Sequence, residues 1–494
     1  MPPFQSNLTS STVNVLSNYA DLSPDHVTDL YFTSWTSGDK LPDCYQGRFS
    51  ATDTNTLRSI VEKTLFYERY QFPDDSYLGR AALVAGYDNG YNTDSYDNAW
   101  RCADPTMDYI ACYYVNAANG YNTVYYYKND PATAPDGVTV TGNSQTSAAS
   151  STLRTRYNSG LGWINYSAHG DWDCWYKPSL TVSHANQMSN TDKPSFMIGN
   201  CCLSNKFDKG TCLGEALLRR GNRAGASAYV GATNSTFWNE DFYWSVGMRS
   251  NITHTMSPNY DSNRKGMYDR LFHTHGEAPS EYVYTAGQLL NGGNMSVQRA
   301  VGSSSWSTAV AEYYWEIYEL MGDPSLLPWN GMAQDLTASA VKVAGELTVT
   351  AVPFAYVALV HGDNHDLVSS AFADASGVAV LSTSTTSLDT TYTLSITAQG
   401  YKPFLQPCTN PLVTIPQVEA GTLSVSPNPA SGVAEVRGTG LQSVSVLNMV
   451  GQQLQTVAAS SDRCRLDLTS LPAGLYLLRI KTTEGTSVKK LVVK

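Results

Sequence analysis

The sequence predicts an α/β domain built on a mostly parallel sheet with flanking helices, then an antiparallel β-sandwich and a smaller C-terminal β-domain. Three observations carry this. Between residues 77 and 329, continuous apolar runs of strand length alternate with helical stretches, as expected of strands covered on both faces. Residues 334–416 switch to alternating strands with turn residues between them, the texture of a small sandwich. After a linker at 416–421, residues 417–494 repeat that texture in LSVSPNPASG, VSVLNMVGQQL, LPAGLYLLRI and SVKKLVVK. The expected domains are therefore 1–75, 76–333, 334–416 and 417–494.

In chain order, residues 27–35 read as a strand and 55–70 as a helix, with Leu57, Ile60, Val61, Leu65 and Tyr67 spaced for one apolar face. That is too little for a core, so this region must lean on the α/β domain after it. AALVAG at 81–86 is a buried-strand run that leads to Asp88, and 124–127 is another short strand. LGWINYSAHG and PSFMIGNCC, within 161–202, each hold an apolar strand. A helix is expected at 213–220, a strand at 226–230, and one closing amphipathic helix at 311–321 (AEYYWEIYELM), stopped by Gly322 and Pro324. In the sandwich, strands are expected at 347–352, 356–361, 378–382 and 392–398.

Bulk properties bound the function. At 494 residues the chain exceeds the roughly 250–300 residues at which single cores stop growing. Hydrophobic residues at 42% and charged ones at 15% exclude a disordered or fibrous class. A net charge of −11 argues against nucleic acid or an anionic membrane as partner, though not against a cationic substrate. Thirty-two Tyr and ten Trp suit β-rich domains and polar extracellular surfaces. Nine cysteines without paired C-x2-C blocks fit neither a disulfide framework nor a zinc site; a Cys102–Cys112 pairing stays open. No apolar run has the length of a membrane span. The opening MPPFQSNLTSS lacks the parts of a signal peptide, so either the protein is cytoplasmic or its amino terminus lies upstream.

The chemistry gathers in residues 161–202. Side chains just past the carboxyl ends of neighbouring parallel strands converge on one crevice. Here those positions hold His169 and Cys202, a base and a nucleophile. A lone cysteine is more often a small buried hydrophobe. Neighbours in a strand alternate sides, so Cys202 is expected to face the crevice and Cys201 to pack inward. Gly170 lets a substrate backbone approach and leaves an amide for a carbonyl oxygen. Of the seven other histidines, only His361 ends an apolar strand, and it lies in the sandwich. Asp88 occupies the same class of position as His169, where a carboxylate would fix the imidazole tautomer; its alternative is a turn-capping role in DNGYNTD. Asp241, in a loop with Trp238 and Glu240, is either a specificity carboxylate for a basic side chain or part of an acidic surface turn.

NYSAHG, IGNCC, CLGEAL and above all AYVGATNSTFWNEDFYWSVG closely resemble the gingipain family of caspase-like cysteine peptidases, its lysine-specific branch in particular. The likeness runs from VTDLYF to GDPSLLPW, weaker through the sandwich. It implies a caspase-like α/β domain followed by an immunoglobulin-like domain. Cys202 would be the nucleophile, His169 the base and Asp88 the third member. The amides of Gly170 and Cys202 would form the oxyanion hole. Asp241 would be the carboxylate that meets the residue before the scissile bond, with Trp238 as a wall and Ser167 near the pocket floor. No cofactor is implied for catalysis. Family members bind structural calcium, but no motif assigns ligands. Residues 1–75 would be the remnant of a further catalytic subdomain, so an upstream amino terminus is favoured over a cytoplasmic protein. Residues 417–494 resemble a type IX secretion sorting domain, implying export to the bacterial surface or medium, with the secretion machinery as partner.

The expected function is a secreted endopeptidase cleaving after Lys. The rivals are cleavage after Arg, with Asp94 or Asp97 serving the pocket, and a cell-surface binding protein whose peptidase part is inactive.

Overall fold

The computed structural model describes residues 4–7, 25–36, 40–87, 99–247, 259–301, 305–343, 346–362, 366–383, 391–409, 423–448, 453–459, 461–483 and 485–494. The chain divides into two units, Met1–Ala333 and Gln334–Lys494.

The first unit opens with a short antiparallel pair, β1 (Phe4–Asn7) and β2 (Asp25–Thr28). Its centre is a seven-stranded sheet. The strands are β3 (Arg80–Ala85), β4 (Thr123–Lys128), β5 (Gly142–Asn143), β6 (Trp163–Ser167), β10 (Ser195–Asn200), β11 (Ala226–Ala232) and β12 (Tyr318–Met321). Between β6 and β10 in the chain lies a small separate antiparallel sheet of β7 (Gly170–Asp171), β8 (Cys174–Trp175) and β9 (Leu180–Thr181). The order in the main sheet is β12-β11-β10-β6-β3-β4-β5. All neighbours are parallel except β12, which closes the edge antiparallel to β11. The chain runs outward from β3 through β4 and β5, then returns to β6 on its other side. The topological switch point therefore lies between β3 and β6, where open α/β sheets place their crevice.

The unbroken apolar runs follow from two covered faces. Ala81, Leu83, Ala85, Trp163, Phe196, Ile198 and Val230 join one core. Their alternates Ala82, Val84, Ile164, Tyr166, Met197 and Tyr229 join the other. Each strand thus keeps its period of two while both phases are apolar. The helices that supply these layers include α1 (Thr54–Glu68), α2 (Ala99–Tyr113), α3 (Ala149–Ser159), α4 (Val182–Asn186), α5 (Leu213–Arg219), α6 (Trp238–Val246), α7 (Met267–Phe272), α8 (Ala286–Val301) and α9 (Ser305–Ile317).

Four expectations change. Residues 27–35 do not continue as a strand: after Thr28 the Thr28 hydroxyl accepts the Leu30 amide, and Leu30–Phe32 forms a 3₁₀ turn. On α1 the buried residues are Ile60, Lys63, Thr64, Phe66 and Tyr67, whereas Leu57, Val61 and Leu65 are exposed. The Lys63 ammonium, inside, donates to the carbonyls of Leu218, Arg220 and Ala224, so these hydrogen bonds orient the helix together with the buried Ile60, Phe66 and Tyr67. Residues 311–321 are not one helix, because α9 stops at Ile317 and the last four residues pair with β11 as β12. Cys102 and Cys112 are free thiols at opposite ends of α2, one buried and one exposed.

In the second unit, strands Ser339–Val343, Glu346–Thr350 and Val378–Ser382 form one antiparallel sheet. Tyr356–His361, Leu367–Phe372, Thr391–Ala398 and Tyr401–Thr409 form a second. Leu347, Val349, Val357, Leu359, Leu381, Leu394 and Ile396 fill the core between them. This is the sandwich expected, with three strands beyond the four read from the sequence. A further seven-stranded sheet comes next, Ser424–Ser431 to Gly485–Val493, around Val436, Val446, Leu466, Leu478 and Leu491.

A packing test concerns α8, which crosses α6 where Gly293 faces the buried Trp244 ring. A β-carbon at Gly293 would lie inside that ring's van der Waals surface. Gly293→Ala is expected to cost about 1–3 kcal/mol by overpacking, read as a lowered urea midpoint with unchanged slope.

Candidate active site

Register is the first fact of the site. In the β6–β10 pair, Ser167 is opposite Asn200, so His169 and Cys202 each stand two residues beyond matched strand ends. Both therefore leave the sheet at its carboxyl edge. Contact between the two exit segments is close: a β-carbon at Gly170 would lie 2.8 Å from Cys201 Sγ and 2.9 Å from the Cys202 carbonyl oxygen. Gly170 is thus a true close-approach glycine, and the fully buried Cys201 packs inward against it.

His169 is held by its backbone and its ring. Its carbonyl accepts from the Tyr166 hydroxyl at 2.7 Å and from the Tyr176 amide at 3.2 Å. The Tyr166 ring in turn stacks on Trp175, centroids 4.5 Å apart. The imidazole meets Trp238 edge to face at 4.8 Å. Gly170 pairs with Trp175 across β7 and β8. Because Tyr176 N bonds His169 O, that pair is the non-hydrogen-bonded kind, so the Gly170 N–H points away from β8.

Cys202 lies under the loop that follows β11. Its half-buried sulfur accepts the Thr236 amide at 3.3 Å. Burial pushes the thiol up and the Thr236 amide opposes that, since donation to sulfur favours the thiolate. Thr236 also links to the acid behind it: its hydroxyl donates to Asp241 Oδ2 at 2.7 Å.

Asp241 sits in the first turn of α6 and is buried. Its other oxygen accepts from Tyr314 at 3.0 Å and Tyr318 at 2.6 Å. Burial pushes its pKa up to about 6, against these three hydroxyls. It is no acidic surface turn: three hydroxyl donors surround a buried carboxylate. Trp238, half-buried at the start of the same helix, meets the His169 ring. Ser167 is buried at the end of β6, its carbonyl accepting the Gly86 amide at 3.0 Å. Asp88, Asp94 and Asp97 lie outside the described residues.

Sequence reasoning missed Thr236, Tyr314 and Tyr318. The two tyrosines are four apart, a spacing that signals a shared helix face, yet Tyr318 already belongs to β12. Behind them the Tyr318 hydroxyl accepts from Asn200 Nδ2 at 3.2 Å, and Asn200 Oδ1 accepts from Asn165 and Ser245. Among the described residues, no group of three or more His, Cys, Asp or Glu is gathered to hold a metal ion, so none is assigned to calcium.

Asp241 provides a pH-resolved test. Its folded pKa is raised from 3.8 to about 6, so stability falls as pH rises through that interval and the full cost of the ionised form is present above it; its hydroxyl donors reduce that cost. Tyr318→Phe is expected to raise that pKa further. It should lose about 1–2 kcal/mol more stability at pH 8 than at pH 4, measured by denaturant unfolding at both values.

Comparison with known proteins fits this geometry. Residues 2–329 match peptidase family C25, and 424–494 match a secretion system C-terminal sorting domain, which marks a secreted or cell-surface protein. Lys-gingipain of Porphyromonas gingivalis is 31% identical over 431 residues, 86% of this chain and 22% of that protein. Gingipain R2 of the same organism is 20% identical over 490 residues, covering 96% and 58%. The chain thus spans about a fifth of the length of its Lys-gingipain relative. A solved protease structure superposes with a TM-score of 0.62 at 30% identity, covering 77% of each chain. The crystal structure of the Arg-specific cysteine proteinase gingipain R reaches 0.59 at 19%, covering 80% of this chain and 87% of that one, a likeness of fold. With two thirds of its length matched, this chain belongs to peptidase family C25, the gingipain family.

Proposed function

We propose that the protein is a secreted cysteine endopeptidase that hydrolyses peptide bonds after Lys. The observation that carries this reading is the common exit of His169 and Cys202 from register-matched strands, with Asp241 tied to the Cys202 loop through Thr236.

In this mechanism the Cys202 thiolate attacks the scissile carbonyl carbon and a tetrahedral oxyanion forms. The amides of Gly170 and Cys202 donate to that oxygen. His169, protonated, gives its proton to the leaving amine, and the C–N bond breaks to an acyl-enzyme. Water, losing a proton to His169, then attacks the acyl carbon; the C–S bond breaks, the acid leaves, and the thiolate and protonated imidazole are restored. Asp88 would orient the imidazole. The substrate Lys stem would lie along Trp238, with Ser167 near the pocket floor, and its ammonium would meet Asp241. A compact, strongly hydrated ammonium suits a carboxylate whose donors are single hydroxyls.

The tail supports export by the type IX secretion machinery to the cell surface or medium. The Arg-specific alternative rests on Asp94 or Asp97, outside the described residues.

Variants, labelling and pH dependence test this. Cys202→Ala should abolish cleavage of Lys-X peptides, while Cys201→Ala keeps it within a few-fold. A peptidyl-Lys chloromethyl ketone should label Cys202; an inert thiol would favour the binding-protein alternative. Because protonated Asp241 cannot pair with an ammonium, kcat/KM for Lys substrates should fall below about pH 6. Asp241→Asn should remove the Lys preference at a cost of about 2–5 kcal/mol in transition-state binding. Retained Lys selectivity in that variant overturns the pocket assignment.

A further inference from the structure

A polar cavity of about 230 Å³ opens between α7 and α8; its lining includes Arg264, Lys265, Arg270, Glu281, Ser296 and Arg299. Its charges do not balance. Arg264 pairs with Asp261 at 3.6 Å. Lys265, Arg270 and Arg299 share the single carboxylate of Glu281. Lys265 Nζ holds Oε2 at 2.5 Å, while the Nη1 atoms of Arg270 and Arg299 stand 3.6 and 3.9 Å from Oε1. Only the lysine contact is within hydrogen-bond reach. Among the lining residues, three cations on one carboxylate leave two positive charges in excess; the buried Asp269 carboxylate next in sequence adds its field at Arg270 from outside the lining.

Arg270 is the telling residue. It is 5% exposed, and its Nε has no hydrogen-bond partner among the described residues. A buried guanidinium has five fixed donors and no way to shed its charge, so an orphan donor there is unusual. Burial first, then the nearby Arg299, pushes this guanidinium down. The backbone around it is firmly set. The Asp269 carboxylate accepts from Tyr109, Tyr114 and the Gly266 amide, and the Arg270 carbonyl accepts the Val283 amide at 3.1 Å. The single Ser296 O–H is shared between the Lys265 and Gly292 carbonyls, at 3.0 and 2.7 Å, linking the lysine's backbone to α8. The cations are therefore held together by the fold, not by the one acid between them.

We propose that this cavity is a binding site for a compact dianion of the phosphate class, either inorganic phosphate or a phosphomonoester. Two guanidinium forks and an ammonium around a small cavity match three acceptor oxygens with two negative charges. A monoanion would leave one cation uncompensated. The site lies outside the Cys202–His169 crevice, and the proposal does not depend on the peptidase reading.

The test uses the full chain at pH 8, where phosphate is largely dianionic. Calorimetry and thermal unfolding compare inorganic phosphate with chloride at equal ionic strength. Phosphate should bind saturably and raise Tm with concentration, as a ligand of the folded state must, and chloride should not. Arg299→Gln, at an exposed position where folding is safe, should weaken phosphate binding by about fivefold or more. Glu281→Gln should tighten it, because the competing carboxylate is gone. Phosphoserine amide is the second ligand: affinity equal to phosphate assigns the site to monoesters, and rejection assigns it to the free ion. Absence of a saturable phosphate response, or wild-type affinity in both variants, overturns the proposal.

Discussion

The pairing of β6 with β10 is the constraint on which the rest of this structure depends. Parallel strands in fixed register end together, so residues an equal number of steps past Ser167 and Asn200 are delivered to one place. A slip of one residue would turn every side chain of a strand to its other face. Trp163 and Phe196 stack in one layer, while Ile164 and Met197 join the opposite one. The register is thereby fixed by packing on both faces, and the site inherits it.

The second layer of organisation is polar and buried. Asp241, Tyr314, Tyr318, Asn200, Asn165, Ser245 and Tyr268 form a connected set of hydrogen bonds beneath the crevice. It joins α6, α7, α9, the middle of β6 and the ends of β10 and β12. Such networks are costly unless satisfied, and here the carboxylate has donors for both oxygens. The Asp241 carboxylate is therefore positioned from the sheet side, by residues far from it in sequence.

The N-terminal segment is bound into the same unit through buried acids of α9 and β12. His26 and Tyr31 contact Glu316, while Thr28 and the Asp29 amide contact Glu319. Tyr313, one turn away, packs its ring against His26 and donates to the Ser235 carbonyl beside the Cys202 loop. Burial raises Glu319, while His26, Tyr31 and Lys40 hold Glu316 down to about 2 despite burial. Segments 26–36 and 313–319 therefore brace the site from behind.

The sequence alone determined what local physics can write: strand runs covered on both faces, the helix at Leu213–Arg219, the sandwich texture, and a thiol and an imidazole at strand ends. These arise from periodicity and turn chemistry, which act over a few residues. Only the tertiary structure decided which face of α1 is buried, because carbonyls more than 150 residues away accept Lys63. It also decided that 318–321 leave the helix, since β11 offers unpaired ladder groups there. The partners of Asp241 were hidden for the same reason. Thr236 is a near neighbour, but Tyr314 and Tyr318 meet the carboxylate only because an antiparallel edge strand brings α9 back across the sheet. Hydrogen bonds of that range leave no period in the chain; they exist only once the layers are stacked.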